Sequence, residues 1–330
     1  MKTNVKELPN RGHLTTEQRS PASAALDALS VEAALSVMNS QDMDVPKAVK
    51  AAIPAISATI KDIVRGMREG GRLVYIGAGT SGRLGVLDAS EIPPTFQASP
   101  DQVIGIIAGG DSALRKSSEG MEDDFNGAVP ELEKLKLGPK DTLIGIAAGG
   151  TTPYVWGGIH YAKSCGATTA IICCVPINSL LRRDKVPPEN GNGTINTPPP
   201  PSLPAEIDHS IELIVGPEVV TGSTRLKAGT ATKLALNMIS TITMVQLGKV
   251  WGNLMVDLKA SNEKLTDRAI RIICSQTDLD RARAAELLIR AGGMVKTALV
   301  MELRSVSAEQ ANRLLAEHNG QLRPILGPPR

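Results

Sequence analysis

Aromatic side chains make up only 2% of the 330 residues. With so few rings, the core has to be built from Ala, Val, Ile, Leu and Met, as in close-packed α/β folds with parallel sheets. The net charge is +2, and no Lys/Arg stripe with interleaved aromatics is present. That excludes the basic, stacking surface that nucleic-acid binding requires. No stretch reaches the roughly 18 consecutive apolar residues of a membrane span. The N-terminal MKTNVKELPNRGHL has no apolar signal region. A cytoplasmic protein without a membrane or nucleic-acid partner is expected. Cysteine is sparse as well: Cys165, Cys173, Cys174 and Cys274 show no metal-ligand spacing. Cys173 and Cys174, inside TTAIICCV, read as small buried hydrophobes. His13, His160, His209 and His318 sit in unrelated contexts. Neither a metal nor a cofactor is expected.

The rest of the chain alternates short apolar runs with helical patterns. SVEAALSVMNSQ and PKAVKAAIPAISATIKDIVRGMREGG predict two leading helices, the second stopped by Gly70-Gly71. RLVYIGA, VIGIIAGG, DTLIGIAAGG, TTAIICCV and SIELIVG predict five strands. Helices are expected between them, from SGRLGVLDASE, from about Ser112 to Asn126, and from TPYVWGGIHYAKSCG. Strands and helices alternating at this spacing imply right-handed βαβ units and a doubly wound parallel sheet. The proline-rich segment 182–206 breaks the rhythm and reads as an exposed loop. A long helix follows SIELIVG, and from about Asn262 the chain reads as two or three short helices. The expected organisation is an N-terminal helical segment (1–55), a central α/β domain (56–265) and a C-terminal helical domain (266–330).

Two glycine turns stand at carboxyl ends of expected strands, where ligands bind in such sheets. IGAGTSGRLG contains G-x-G-x-x-G (Gly77, Gly79, Gly82), the spacing of a dinucleotide turn. A dinucleotide fold also wants an acidic residue closing the second strand, and here that strand ends in glycines. Thr80 and Ser81 instead place hydroxyls beside backbone N–H groups at a helix start, which suits a lone phosphate. The second turn, AAGGTTPYV, offers Gly149, Gly150, Thr151 and Thr152 ahead of Pro153. Two hydroxyl-bearing turns on one edge fit a phosphorylated sugar better than a dinucleotide.

Carboxylates supply the acid–base chemistry. Glu91 stands two residues before Pro93-Pro94, and the residue preceding a proline is pushed out of helical geometry. The expected helix therefore ends by Ile92, with Glu91 at its negative end, where a carboxylate holds its proton longer. That suits a general acid, against the alternative of an ordinary surface glutamate. In SSEGMEDDF, Glu119, Glu122 and Asp123 share one face if the segment is helical, and mutual repulsion favours a base among them. A solvated acidic face is the alternative there.

Five blocks in order, YIGAGTSGRLGVLDASEIPPTF, IAGGDSAL with EGMEDD, GIAAGGTTPYV, VGPEVVTGSTRLKAGTATKLALNMIST and GKVWGNLMVDLKASNEKL, resemble the N-acetylmuramic acid 6-phosphate etherase family. That family consists of sugar isomerase (SIS) domain proteins related to the glucokinase regulatory protein. The resemblance covers roughly residues 20 to 325. It implies a cytoplasmic lyase of cell-wall recycling that removes D-lactate from its substrate. It also implies Glu91 as the acid, Glu122 as the second carboxylate, and Gly79, Thr80 and Ser81 as the phosphate turn. A homodimer is implied too, with Glu263 and Lys264 near the shared active site. The second turn departs from the family's AASGRTPYV: Gly149 lacks a hydroxyl and Thr151 replaces a cation. Two other readings share the fold, a catalytically idle sugar-phosphate sensor and a sugar-phosphate isomerase.

Overall fold

The computed structural model describes residues 11–116, 119–181, 207–258 and 262–330. The proline-rich segment 182–206 lies outside the described residues. Five strands, β1 (Leu73–Gly77), β2 (Val103–Ile107), β3 (Thr142–Ile146), β4 (Thr168–Cys173) and β5 (His209–Glu212), form one sheet in the order β2-β1-β3-β4-β5. The pairs β1/β3, β3/β4 and β4/β5 are parallel, with Gly77 opposite Ile146 and Ile146 opposite Ile172. The Ala108 N–H bonds to the Gly77 carbonyl (2.9 Å) and ties the end of β2 to β1. All five expected strands form.

The helices are α1 (Val31–Asp42), α2 (Asp44–Arg68), α3 (Gly79–Phe96), α4 (Val129–Leu135), α5 (Pro153–Ser164), α6 (Ile177–Leu181), α7 (Lys227–Gln246), α8 (Glu263–Gln276), α9 (Arg281–Arg290), α10 (Val295–Arg304), α11 (Ala308–Glu317) and α12 (Arg323–Leu326). Helices cover both sides of the sheet. On one side Val74, Ile76, Leu143 and Ile171 pack with Leu132 of α4 and Val155 and Ile159 of α5. On the other, the Tyr75 hydroxyl donates to Asp88 of α3 (3.1 Å), which also accepts from Asn237 of α7 (2.8 Å). His209, in register with Ala170 on that side, meets Asp62 of α2 at 2.7 Å.

The chain divides into two compact units. One comprises the chain up to Asp88 with Ile104–Met238; the other comprises Ala89–Val103 with Ile239–Arg330. The second unit has its own core, built from Trp251, Leu258, Ile273, Leu287, Leu299 and Ile325 among others. Its helices start on local signals. Asn262 caps α8 by accepting from the Leu265 N–H, Asp280 caps α9, and Ser307 with Gln310 forms a reciprocal capping box on α11.

Three expectations need correction. The tail holds five helices, α8 to α12, rather than two or three. The stretch from Ser112 to Asn126 is not a helix. Its described residues form two short 3-10 turns, Asp111–Leu114 and Glu119–Met121, followed by tight turns, so Glu122, Asp123 and Asp124 do not line one helix face. The first turn is held from outside, because Arg83 donates to the carbonyls of Ala113 (2.7 Å) and Leu114 (3.2 Å). Finally, α3 does not stop at Ile92. It continues to Phe96 with Pro93 and Pro94 inside it. Each helical proline costs on the order of 3 kcal/mol through its lost donor and its clash. Burial of Ile92 and Phe96 (4% and 5% exposed) offsets this by about 1.5–3 kcal/mol per side chain.

Candidate active site

The first glycine turn joins β1 to α3. The Gly82 N–H closes it onto the Ala78 carbonyl (3.1 Å). Gly79 has φ +53°, a left-handed conformation that glycine adopts without strain. Among the described residues, neither the amides of Gly79, Thr80 and Ser81 nor the two hydroxyls have a protein hydrogen-bond partner. Half-buried N–H groups and hydroxyls converging at the start of an 18-residue helix form a donor set for an anion.

Glu122 stands beside this turn. A Cβ built on Gly79 would lie 3.2 Å from Glu122 Oε1. The main chain of Glu122 is fixed from the other turn, since its carbonyl accepts from the Tyr154 N–H in α5 (3.0 Å). Gly157 makes that approach possible, because any Cβ there would overlap the Phe125 carbonyl. The neighbouring acids differ. Asp124 accepts from the Asn126 N–H (2.9 Å) and shapes the turn, and Asp123 is exposed. For Glu119, only the backbone is described.

The second turn joins β3 to α5, on the strand next to β1. Its shape is set by three bonds of 2.8 Å: Gly150 N–H to the Ala147 carbonyl, Trp156 Nε1–H to the Gly150 carbonyl, and Cys174 N–H to the Ala148 carbonyl. Pro153 has no N–H, Tyr154 donates to Glu122, and Val155 and Trp156 donate to the Thr152 carbonyl. The first-turn donors of α5 are thus used within the protein. Among the described residues, what remains for a ligand is the set of amides of Gly149, Thr151 and Thr152 and the two threonine hydroxyls, all half-buried.

Two buried residues near the first turn escaped the sequence reading. Glu218 is buried and caps α7, its carboxylate accepting from the Lys227 (3.0 Å) and Ala228 (2.9 Å) N–H groups. The start of α7 then lies against the first turn, with Thr80 Cγ2 3.6 Å from a Cβ built on Gly229. Lys227 is 1% exposed, with Nζ 3.5 Å from Gln41 Oε1. No local pattern announces this cap, because STRLKAG itself offers Ser223 and Thr224 as cap candidates.

Glu91 is exposed in the body of α3, so the helix-end argument for its role does not apply. It belongs to the second compact unit, as do Glu263 and Lys264, which are exposed in the first turn of α8. Burial pushes the Cys173 thiol up to about 12 and the Cys174 thiol upward too, so neither supplies a thiolate near neutral pH. Among the described residues, no group of three His, Cys, Asp or Glu is placed to hold a metal ion, and no helix is long and apolar enough to cross a membrane.

Comparison with known proteins agrees with the arrangement. Residues 55–163 match the glucokinase regulatory protein N-terminal SIS domain, and residues 252–292 match the C-terminal lid domain of glucokinase regulatory protein. An N-acetylmuramic acid 6-phosphate etherase of Prochlorococcus marinus (strain MIT 9313) is 50% identical over 323 residues, covering 98% of this chain and 95% of its own. The chain belongs to the N-acetylmuramic acid 6-phosphate etherase family. Etherases of Thermosynechococcus vestitus (49% over 320 residues; 97% and 96% of the two chains) and an Exiguobacterium species (48% over 313; 95% and 99%) are similar over comparable lengths. Within this etherase family fold, the two glycine turns and Glu122 form one cluster on the carboxyl edge of the sheet.

Proposed function

We propose that the chain cleaves the D-lactyl ether of N-acetylmuramic acid 6-phosphate, yielding N-acetylglucosamine 6-phosphate and D-lactate. The observation that carries this reading is the Glu122 carboxylate beside the donor-rich turn of Gly79, Thr80 and Ser81. An anchored phosphate there leaves the open-chain sugar within reach of a base. The aldehyde acidifies the proton on carbon 2, and Glu122 removes it. The electron pair forms the carbon 2–carbon 3 double bond as the carbon 3–oxygen bond breaks. Glu91 protonates the departing lactate oxygen. Water then adds across the alkene, hydroxyl to carbon 3 and proton to carbon 2. Each acid–base group supplies about 10²–10⁴-fold. No step needs a metal or redox cofactor. Gly149, Gly150, Thr151 and Thr152 hold the other polar groups of the sugar, and Glu263 and Lys264 complete the substrate contacts.

The same reading assigns a cytoplasmic homodimer. Helix α1 has six apolar residues among twelve and none of its residues is buried; Val31 is 71% and Leu35 60% exposed, with Met43 just beyond at 61%. A second copy covering this face removes a sizeable apolar patch from water. A sensor has no chemical need for carboxylates at 91 and 122, which favours the lyase. An isomerase would release no lactate.

The test is incubation of the protein with N-acetylmuramic acid 6-phosphate in heavy water. Lactate release with deuterium at carbon 2 of the sugar product is expected. A sugar phosphate that binds but yields neither would overturn the lyase reading in favour of the sensor.

A further inference from the structure

The N-terminal segment before α1 reaches the second glycine turn. Leu14 is buried with Cys173 and Val175 at the end of β4, against Ile177 and Leu180 of α6. It leads into the 3-10 turn Thr15–Glu17, closed by the Glu17 N–H on the Leu14 carbonyl (2.9 Å). Glu17 comes to rest beside the loop before α7, with Oε2 3.5 Å from a Cβ built on Gly222. Between these two anchors sits Thr16, 1% exposed. Its Oγ1 is screened from water and, among the described residues, has no hydrogen-bond partner. An uncompensated buried hydroxyl is costly, and each one calls for an explanation.

Gly149 points to that explanation. Beyond its chain neighbours, a Cβ built there would have two atoms of the described residues within 4 Å, Thr16 Oγ1 at 3.6 Å and Thr151 Oγ1 at 3.9 Å. The space beside Gly149 is therefore faced by two hydroxyls from segments more than a hundred residues apart in sequence. The half-buried amides of Gly149, Thr151 and Thr152 flank it, and none has a protein acceptor among the described residues. The set contains donors and no cation. It is matched by an oxygen acceptor, a phosphate or carbonyl oxygen of a bound sugar phosphate.

We infer that Thr16 is a substrate-binding residue, its hydroxyl donating to an oxygen of the sugar phosphate seated in the space beside Gly149. The inference rests on the etherase reading for the identity of the ligand. The partner that the Thr16 hydroxyl lacks among the described residues is then supplied by the substrate, so the N-terminal segment forms part of the binding wall.

The experiment compares wild type, Thr16→Val and Thr16→Ser. Lactate release from N-acetylmuramic acid 6-phosphate gives KM and kcat, and thermal unfolding with and without N-acetylglucosamine 6-phosphate gives binding. Valine keeps the shape and removes the hydroxyl. Because that hydroxyl has no partner among the described residues, the ligand-free Tm of Thr16→Val is expected to stay level or rise. Its KM is expected to rise by about tenfold, the value of one hydrogen bond to a charged or strongly polar group, with kcat changed less. Its ligand-induced Tm shift should shrink, and serine should restore both. An unchanged KM and ligand shift in Thr16→Val overturns the inference, as does a ligand-free Tm that falls with no change in KM. If wild type binds the sugar phosphate but releases no lactate, the etherase reading fails while the binding comparison still decides the role of Thr16.

Discussion

Glu122 and Gly79 meet across the first glycine turn, with Glu122 Oε1 3.2 Å from where a side chain on residue 79 would begin. The contact brings the proposed base against the turn proposed to hold the phosphate, and it makes residue 79 a sensitive probe. Gly79→Ala adds left-handed strain at φ +53°, about 1–2 kcal/mol, and displaces the carboxylate. The expected result is a Tm lower by a few degrees and a fall in lactate release of at least about tenfold. Gly120→Ala, with no atom of the described residues within 4 Å of its Cβ, is the control. Equal activity in the two variants would argue against Glu122 acting at this turn.

The two carboxylates separate by isotope. Glu122→Gln should abolish both deuterium exchange at carbon 2 and lactate release, each by about 10²-fold or more. Glu91→Gln should slow lactate release while exchange at carbon 2 continues, because proton abstraction precedes departure of the ether oxygen. Since Glu91 is exposed, its variant should keep the wild-type Tm. Loss of exchange in Glu91→Gln would reverse the assigned roles.

Gly149 is spacious. Its backbone is outside the left-handed region, and the nearest atoms to an added Cβ, at 3.6 and 3.9 Å, are in ordinary contact. Gly149→Ser should change stability by less than about 0.5 kcal/mol, read from urea midpoints. A large loss would mean that the second turn is packed more tightly than the structure shows.

Asp88 joins three elements from a position 5% exposed. It accepts from the Tyr75 hydroxyl on β1 and the Asn237 amide on α7. Burial, then the Asp88 carboxylate, pushes the Tyr75 hydroxyl well above its ordinary range, so it remains a donor. Asp88→Ala strands both donors and should cost about 3 kcal/mol in denaturant unfolding. A loss under about 1 kcal/mol would show that the network contributes little.

Asp141 sets an acid limit. Burial alone would raise it, but hydrogen bonds from Arg72 and the Gly138 N–H, with the Arg72 charge, hold it below its ordinary 3.8. A carboxylate depressed on folding contributes its full stability above the unfolded value and loses it as pH falls through the folded one. The Tm gap between wild type and Asp141→Asn should stay constant from neutral pH to about 4 and narrow below that. A gap that narrows already between pH 7 and 5 would assign the effect to other groups.

The five strands, their glycine turns and the alternation that makes the sheet parallel were legible in the sequence, because each depends on short-range patterning of apolar residues and turn formers. Gly79, Thr80, Ser81 and the second turn followed directly, since residues at the ends of parallel strands share one edge whatever the loops do. What lay beyond local pattern was decided by packing. Helix α3 passes through Pro93 and Pro94 because Ile92 and Phe96 are buried, which moved Glu91 from a helix end to a helix interior. The segment around Glu122 is not helical because Arg83 and Tyr154 hold its two ends and Gly157 lets it lie close on α5. The cap that Glu218 places on α7 and the approach of Thr16 to Gly149 join residues far apart in sequence. Periodicity carries no information about such contacts; they arise only when the chain closes on itself and brings distant segments together.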